Sequence, residues 1–283
     1  MTFYRDFTFE YGRPQQLAPG VTRIVANNPK DYTWVGTNTY LIGQRDLAIL
    51  DPGPALAGHV EAVMAAVAGR PVRAILVTHS HLDHSAAAPI LAARTGAPVY
   101  AHSVIDPQVA QASQEDIDTA FRPDRDLACG DWVNGSDWRL EAVHTPGHFP
   151  NHLCFALGEH LFSGDHVMGW STTAICPPLG DLADYLGALE KLLARGFARY
   201  LPSHGPAIPD PEAYVRALIQ HRHSRTQAIL ACLEQGVSDP AAIVQAIYKE
   251  DHLSPRLMKA AQGSVRAHLD YLARRSADRV AAE

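Results

Sequence analysis

The sequence predicts a layered α/β fold, and three observations predict it. Short apolar runs such as Val72-Arg73-Ala74-Ile75-Leu76-Val77 and Leu153 to Leu157 read as buried strands. Stretches with apolar residues at helical spacing, Val60 to Val67 and Leu182 to Leu193, lie between them. Turn-forming residues punctuate both kinds of segment, the signature of packed layers rather than a bundle. Periodicity by itself does not separate a doubly wound sheet from a two-sheet sandwich. Neither a Gly-x-Gly-x-x-Gly after an early strand nor a Gly-x-x-x-x-Gly-Lys-Ser/Thr loop is present.

Taken in order, Asn38 to Ile42 and Leu47 to Leu50 read as two strands joined through Gly43-Gln44-Arg45-Asp46. The helix over Val60 to Val67 ends at Gly69-Arg70-Pro71, and the strand from Val72 follows. Ser85 to Thr95 is Ala-rich and reads as a short helix that Pro89 strains. A strand begins at Val99-Tyr100, after Gly96-Ala97-Pro98. Residues 103 to 137 show the least pattern and are expected to border the active site. Trp138 to Val143, Leu153 to Leu157 and His160 to Phe162 read as strands, 165 to 184 as a loop, Leu182 to Leu193 as a helix and Arg199 to Leu201 as the last strand. Beyond residue 208 the texture changes to three helices. Pro209-Asp210-Pro211-Glu212 starts one that ends near Gly236, with Tyr214, Leu218, Ile219, His221, Ala228, Ile229, Leu230 and Leu233 on its packed face. Ser238-Asp239-Pro240 caps a second, and Ser254-Pro255 opens a third.

The chemistry concentrates at the end of one strand. Thr78-His79-Ser80-His81-Leu82-Asp83-His84 places three imidazoles and a carboxylate within six residues. The two-residue strand period points His79 and His81 the same way. Imidazole nitrogen and carboxylate oxygen suit zinc and related divalent ions. Four further segments set a candidate ligand or partner in a tight turn: Leu50-Asp51-Pro52-Gly53, His144-Thr145-Pro146-Gly147-His148, Ser163-Gly164-Asp165-His166 and Leu201-Pro202-Ser203-His204-Gly205-Pro206.

With these motifs the chain resembles the metallo-β-lactamase-fold hydrolase superfamily. The pattern is a His-x-His-x-Asp-His run, then a single His, an Asp and a last His. Here these are His79, His81, Asp83, His84, His148, Asp165 and His204. The resemblance covers roughly residues 1–208 and implies a four-layer αββα sandwich with its metal site at one edge. A weaker resemblance joins the tail to the beta-lactamase-like protein 2 endoribonucleases, whose catalytic core is followed by a small winged-helix-like domain. It implies a catalytic domain over 1–208 and a helical, winged-helix-like domain over 209–283. No hairpin is evident after Leu272, so a helical packing or homodimerisation element is the alternative for the tail.

The resemblance places His79, His81 and His148 on a first metal, and Asp83, His84 and His204 on a second. Asp165 bridges the two. It implies two divalent ions per chain, zinc with manganese or iron as alternatives, and a metal-bridging hydroxide as nucleophile. A shared carboxylate offsets the repulsion of two close cations. Asp83 and His152 are the candidate catalytic side chains, His152 to donate to a substrate oxygen or leaving group. Asp51 is the candidate to orient a ligating imidazole. His144, His166 and His102 carry no assigned role, and Trp170 to Thr173 are a candidate pocket wall.

Composition narrows the partners. The 283 residues, 47% apolar and 19% charged, are those of a globular chain, and the net charge is -6. Residues 1–208 are net -7 and residues 209–283 net +1. That balance argues against polyanion binding unless Arg222, Arg225, Arg256, Lys259 and Arg266 converge in a groove. The expected substrate is therefore a small ester, thioester or lactone, with single-stranded RNA cleavage as the alternative. An iron-dependent sulfur or persulfide dioxygenase of the same fold is the other alternative. Without an apolar leader or membrane span, the expected location is the cytoplasm. Cys129, Cys154, Cys176 and Cys232 form no Cys-x-x-Cys motif and are expected to be free thiols.

Overall fold

The computed structural model describes all residues except 103–104, 106, 114–115, 249–253 and 283, and gives no side-chain surroundings for a few helical positions, Arg256 among them. Two sheets face each other. The larger runs β1 (Gln15–Ala18), β2 (Val21–Val25), β3 (Asn38–Ile42), β4 (Leu47–Leu50), β5 (Val72–Leu76), β6 (Val99–Ala101) and β7 (Arg125–Asp126), in that spatial order. The smaller has the order β12 (Arg199–Pro202), β11 (His160–Gly164), β10 (Leu153–Leu157), β9 (Arg139–His144) and β8 (Trp132–Asn134). Strands β1 to β4 pair antiparallel, and β4 to β7 pair parallel. In the smaller sheet only the β11–β12 pair is parallel.

The strand period explains the four layers. Tyr40 and Ile42 of β3, Ala48 and Leu50 of β4, and Ala74 and Leu76 of β5 face the second sheet. Leu41, Leu47, Ile49 and Ile75, one residue out of step, face α1 (Ala57–Val67) and α3 (Ala88–Thr95). The smaller sheet divides likewise. Leu140, Leu153, Phe155, Phe162 and Leu201 meet the first sheet. Val143, Cys154, Leu161 and Tyr200 meet α5 (Leu182–Arg195) and α6 (Pro211–Glu234). Each sheet is covered on both faces, which is why its strands read as continuous apolar runs.

The predicted helix over Ser85 to Thr95 divides in two. A short α2 (Leu82–Ser85) carries Asp83 and His84, and α3 begins with Pro89 in its first turn, where proline is tolerated. The low-pattern region holds α4 (Pro107–Ala112), β7 and β8. The β1–β2 hairpin was not anticipated.

Beyond residue 208 lie α6, α7 (Pro240–Ile247) and α8 (Pro255–Ala282). Asp210 and Asp239 cap the first two by accepting from the Ala213 and Ala242 amides, with proline opening each helix. Ile229, Ile243, Val244, Ala261 and Val265 form a separate core among these helices. Tyr214, Val215, Leu218 and Ala267 instead join the core under the smaller sheet. Among the described residues no strand follows β12, so no wing is present there. The inward face of α6 carries Arg222 and Thr226 rather than His221, which is half-buried. The four cysteines are free. Among the described residues no helix is long and apolar enough to cross a membrane.

Candidate metal centre

The loops after β5, β9, β11 and β12 meet at one edge of the sandwich, and each delivers part of one cluster. Three overlapping groups form there: His79 with His81 and His148, His79 with His84 and Asp165, and Asp83 with His84 and His204. Within each group the donor atoms lie within 4.8 Å of one another. All seven predicted ligands are thus brought together. His81 and Asp83 are half-buried and the other five are buried.

The hydrogen bonds behind the cluster fix which imidazole nitrogen faces inward. His148 Nδ1 lies 2.7 Å from the Ala174 carbonyl, and His204 Nδ1 lies 3.1 Å from that of Gly36. A carbonyl only accepts, so both rings carry a proton on Nδ1 and turn Nε2 inward. His84 Nδ1 lies 2.9 Å from Asp51 Oδ2, which enforces the same tautomer. Thr78 Oγ1 donates to Asp51 Oδ2 at 2.9 Å, so its oxygen accepts from His79 Nδ1 at 3.0 Å. His79 Nε2 and His81 Nδ1 then stand 2.8 Å apart. Imidazole nitrogens crowded around two carboxylates suit cations at the centre.

Asp51 anchors this outer ring. Its carboxylate accepts from the Thr78 amide and hydroxyl, His84 Nδ1 and Ser203 Oγ, the last at 2.6 Å. Asp51 is fully buried and holds a left-handed backbone (φ 46°), a strained conformation tolerated where the surroundings over-determine it. Asn38 and Tyr40 donate to the Pro202 carbonyl at 2.9 and 2.7 Å, steadying the turn that carries His204. Gly147 holds the His144–His148 turn against α5: a Cβ there would lie 2.3 Å from the Tyr185 amide nitrogen.

The electrostatics differ across the cluster. Burial lowers the pKa of His79 well below the ordinary value, and the neighbouring imidazoles His84, His81, His148 and His152 add to it. Burial also opposes charge on His84 and His204, but carboxylates outweigh it. Asp83, Asp165 and Asp51 raise His84, while Asp165 and Asp83 raise His204 to about 10. Asp165 is held well below the carboxylate range because His204 and His84 overcome its burial. His204 Nε2 lies 3.2 Å from Asp83 Oδ2 and 3.3 Å from Asp165 Oδ1.

Sequence reasoning misplaced one residue. His152 is fully buried, and both ring nitrogens are engaged: Nδ1 lies 2.8 Å from Thr145 Oγ1, and Nε2 accepts from the Asp165 amide at 3.1 Å. It sits behind Asp165 and has no face for a substrate. His166 is also buried, its pKa lowered to about 3 by burial, and it packs between His152 and Tyr185. His144 and His102 pack against each other with tilted rings, centroids 4.4 Å apart, and neither belongs to the cluster groups. Thr173, placed in the pocket wall, is buried and donates to the Asp165 carbonyl at 2.8 Å. Trp170 stacks on Trp34, ring centroids 5.6 Å apart. Thr78, Thr145 and the Gly36 and Ala174 carbonyls were missed. Threonine preceding the His-x-His run and following His144 was the available signal for the first two.

The sequence model of the metallo-beta-lactamase superfamily matches residues 32–204, which contain all seven cluster residues. The chain belongs to the metallo-beta-lactamase superfamily. It is a hydrolase of that superfamily. It is 30% identical over 243 residues to atrochrysone carboxyl ACP thioesterase AgnL7 of Paecilomyces divaricatus, covering 83% of this chain and 71% of the relative. It is 32% identical over 271 residues to a beta-lactamase-like protein 2 homolog of Drosophila melanogaster, covering 91% of this chain and 89% of the relative. Among solved structures, a beta-lactamase domain protein from Burkholderia ambifaria superposes with a TM-score of 0.78 at 24% identity, covering 94% of this chain and 89% of that one. This last likeness shows a shared metallo-beta-lactamase fold across nearly the whole chain.

Proposed function

We propose that this chain is a dinuclear metal-dependent hydrolase of small thioesters, with esters and lactones as related substrates. The observation that carries the reading is the set of inward-facing imidazole nitrogens around Asp165, fixed by outward Nδ1 donors. His79, His81 and His148 would hold one divalent cation, zinc in the first instance, and Asp83, His84 and His204 the other. Asp165 would be shared. When bound, such a pair supplies a water with its pKa lowered to about 7 and a pole for the substrate carbonyl.

The protein's own groups do the remaining work. Asp51 and the Ala174 and Gly36 carbonyls hold the imidazoles in the binding tautomer. Thr37 Oγ1 stands 3.4 Å from Asp83 Oδ2 and itself accepts from Asn28, so Asp83 is steadied from outside the cluster. Asp83 and His81, the half-buried members, mark the side from which a substrate approaches. Residues 1–208 act as the catalytic domain, and 209–283 as a helical domain packed on its smaller sheet.

Thioester chemistry is supported by relatives named as thioesterases, and the net negative charge of residues 1–208 disfavours a polyanion such as RNA. The basic groove that RNA binding would need lacks one candidate member, because Arg222 is buried and donates to the Thr173 carbonyl. Cleavage of single-stranded RNA is the second reading, favoured by the 91% coverage against the beta-lactamase-like protein 2 homolog. A panel of acyl thioesters, lactones, β-lactams and labelled single-stranded RNA, at low salt and defined metal, tests both. Thioester turnover without RNA cleavage is the expected result. RNA cleavage with no acyl turnover would replace the first reading with the second.

A further inference from the structure

The main chain of Asp165 is held in an unusual way. Its amide donates to His152 Nε2 at 3.1 Å, and its carbonyl accepts from Thr173 Oγ1 at 2.8 Å. Side chains rather than a sheet partner therefore fix the peptide groups on both sides of this carboxylate. The donor logic behind His152 runs in one direction only. The Asp165 N–H occupies the Nε2 lone pair, so the ring proton sits on Nδ1 and donates to Thr145 Oγ1 at 2.8 Å. The Thr145 hydroxyl also lies 3.3 Å from Cys154 Sγ, a contact in which either group can donate. The backbone is shaped for this contact. Gly164 has φ +54, and a Cβ there would lie 2.4 Å from His152 Nε2. Only glycine lets the ring reach the next amide.

We propose that His152, oriented by Thr145, is a positioning residue that sets Asp165 where one carboxylate serves two cations. The inference rests on the reading of Asp165 as the shared ligand. His152 touches neither substrate nor cation; it acts through the amide of Asp165. The requirement is an acceptor at the place of Nε2, and this separates two conservative variants. His152→Gln can present its amide oxygen near the Nε2 position. His152→Asn places its oxygen near Nδ1 and leaves the Asp165 amide without an acceptor. Thr145→Val keeps the ring and removes the group that orients it.

The test is zinc titration of chelated wild type and these variants, with unfolding temperatures and, for thioester turnover, kcat and KM. For His152→Asn the expected result is second-zinc affinity weakened about 10–100-fold, the range for loss of a group behind a ligand. The first zinc should stay near wild type, and kcat should fall while KM holds. His152→Gln should recover most of the second-zinc affinity, and Thr145→Val should lie between. A folded His152→Asn variant that binds both zinc ions like a two-zinc wild type would overturn the positioning role and leave the dinuclear reading standing. Equal losses in Gln and Asn would also overturn it, since a packing role does not distinguish where the acceptor sits. A wild type that binds a single zinc would remove the dinuclear reading, and this inference with it.

Discussion

The two halves of the cluster use the same ligand chemistry in opposite electrostatic settings. On one side His79 is surrounded by imidazoles and is held neutral by burial and by those neighbours. On the other, His84 and His204 face Asp83 and Asp165, which hold them protonated against their burial once metal is removed. The difference teaches that one half is ready for a cation as folded. The other half stores protons where a cation would sit. Asp165 belongs to both, so the largest effects should come from it.

Replacing Asp165 with alanine should remove at least one cation and lower kcat by on the order of 10³-fold or more, a loss of several kcal/mol of charge stabilisation. Metal analysis together with single-turnover kinetics checks this. Retention of two metals and full activity would break the assignment of the shared ligand. His204→Ala should act on one half only. Stoichiometry should fall from two toward one, since His79, His81 and His148 remain. Equal loss from both halves would contradict the comparison. Asp51→Asn should be milder, weakening metal binding about 10–100-fold, because it disturbs His84, Thr78 and Ser203 behind the ligands. Isothermal titration of the chelated variant reads it directly.

The smallest expected effect is on the pH dependence of the chelated protein. His84 and His204 have raised pKa values, so their ion pairs contribute fully below the ordinary histidine value of about 6.5. That contribution is lost as pH rises through the folded value, about 10 for His204. His79 and His152 are lowered, so they oppose folding increasingly as pH falls below about 6.5. The depressed carboxylates keep their contribution above about 4 and lose it as pH falls through their folded values. Chelated protein should therefore unfold at its highest temperature near pH 6–7, falling on both sides. Scanning calorimetry across pH 4 to 10 checks this, and a flat profile would contradict it.

How much of this was legible in the sequence follows from how local each signal is. The His79–His84 run sits within six residues, and its strand reads as apolar, so position and chemistry were both visible. Asp210-Pro211 and Asp239-Pro240 declared helix starts by capping chemistry that needs no distant partner. The β1–β2 hairpin was hidden because β1 is an exposed edge strand with no apolar alternation. Strands β7 and β8 are two and three residues long, shorter than a periodic pattern can reveal. On α6 the reading placed Tyr214, Leu218 and Ile229 on the buried face but named His221 in place of Arg222, because the buried Arg222 looks polar in sequence. Its guanidinium is held by the Thr173 carbonyl and the Tyr185 ring, which only the fold brings near. His152 failed for the same reason. Its role is set by Thr145 and Asp165, seven and thirteen residues away.

Zinc titration of the chelated protein, with released protons counted from heats in buffers of different ionisation enthalpy, tests the two-halved centre most directly. The account predicts two zinc ions per chain. His79 gives up no proton as it binds, whereas filling the side of His84 and His204 releases about two, because both imidazoles must be deprotonated to bind. The affinity of that second step should accordingly rise with pH faster than that of the first. One metal per chain, or two metals bound with no proton released at either step, would contradict it.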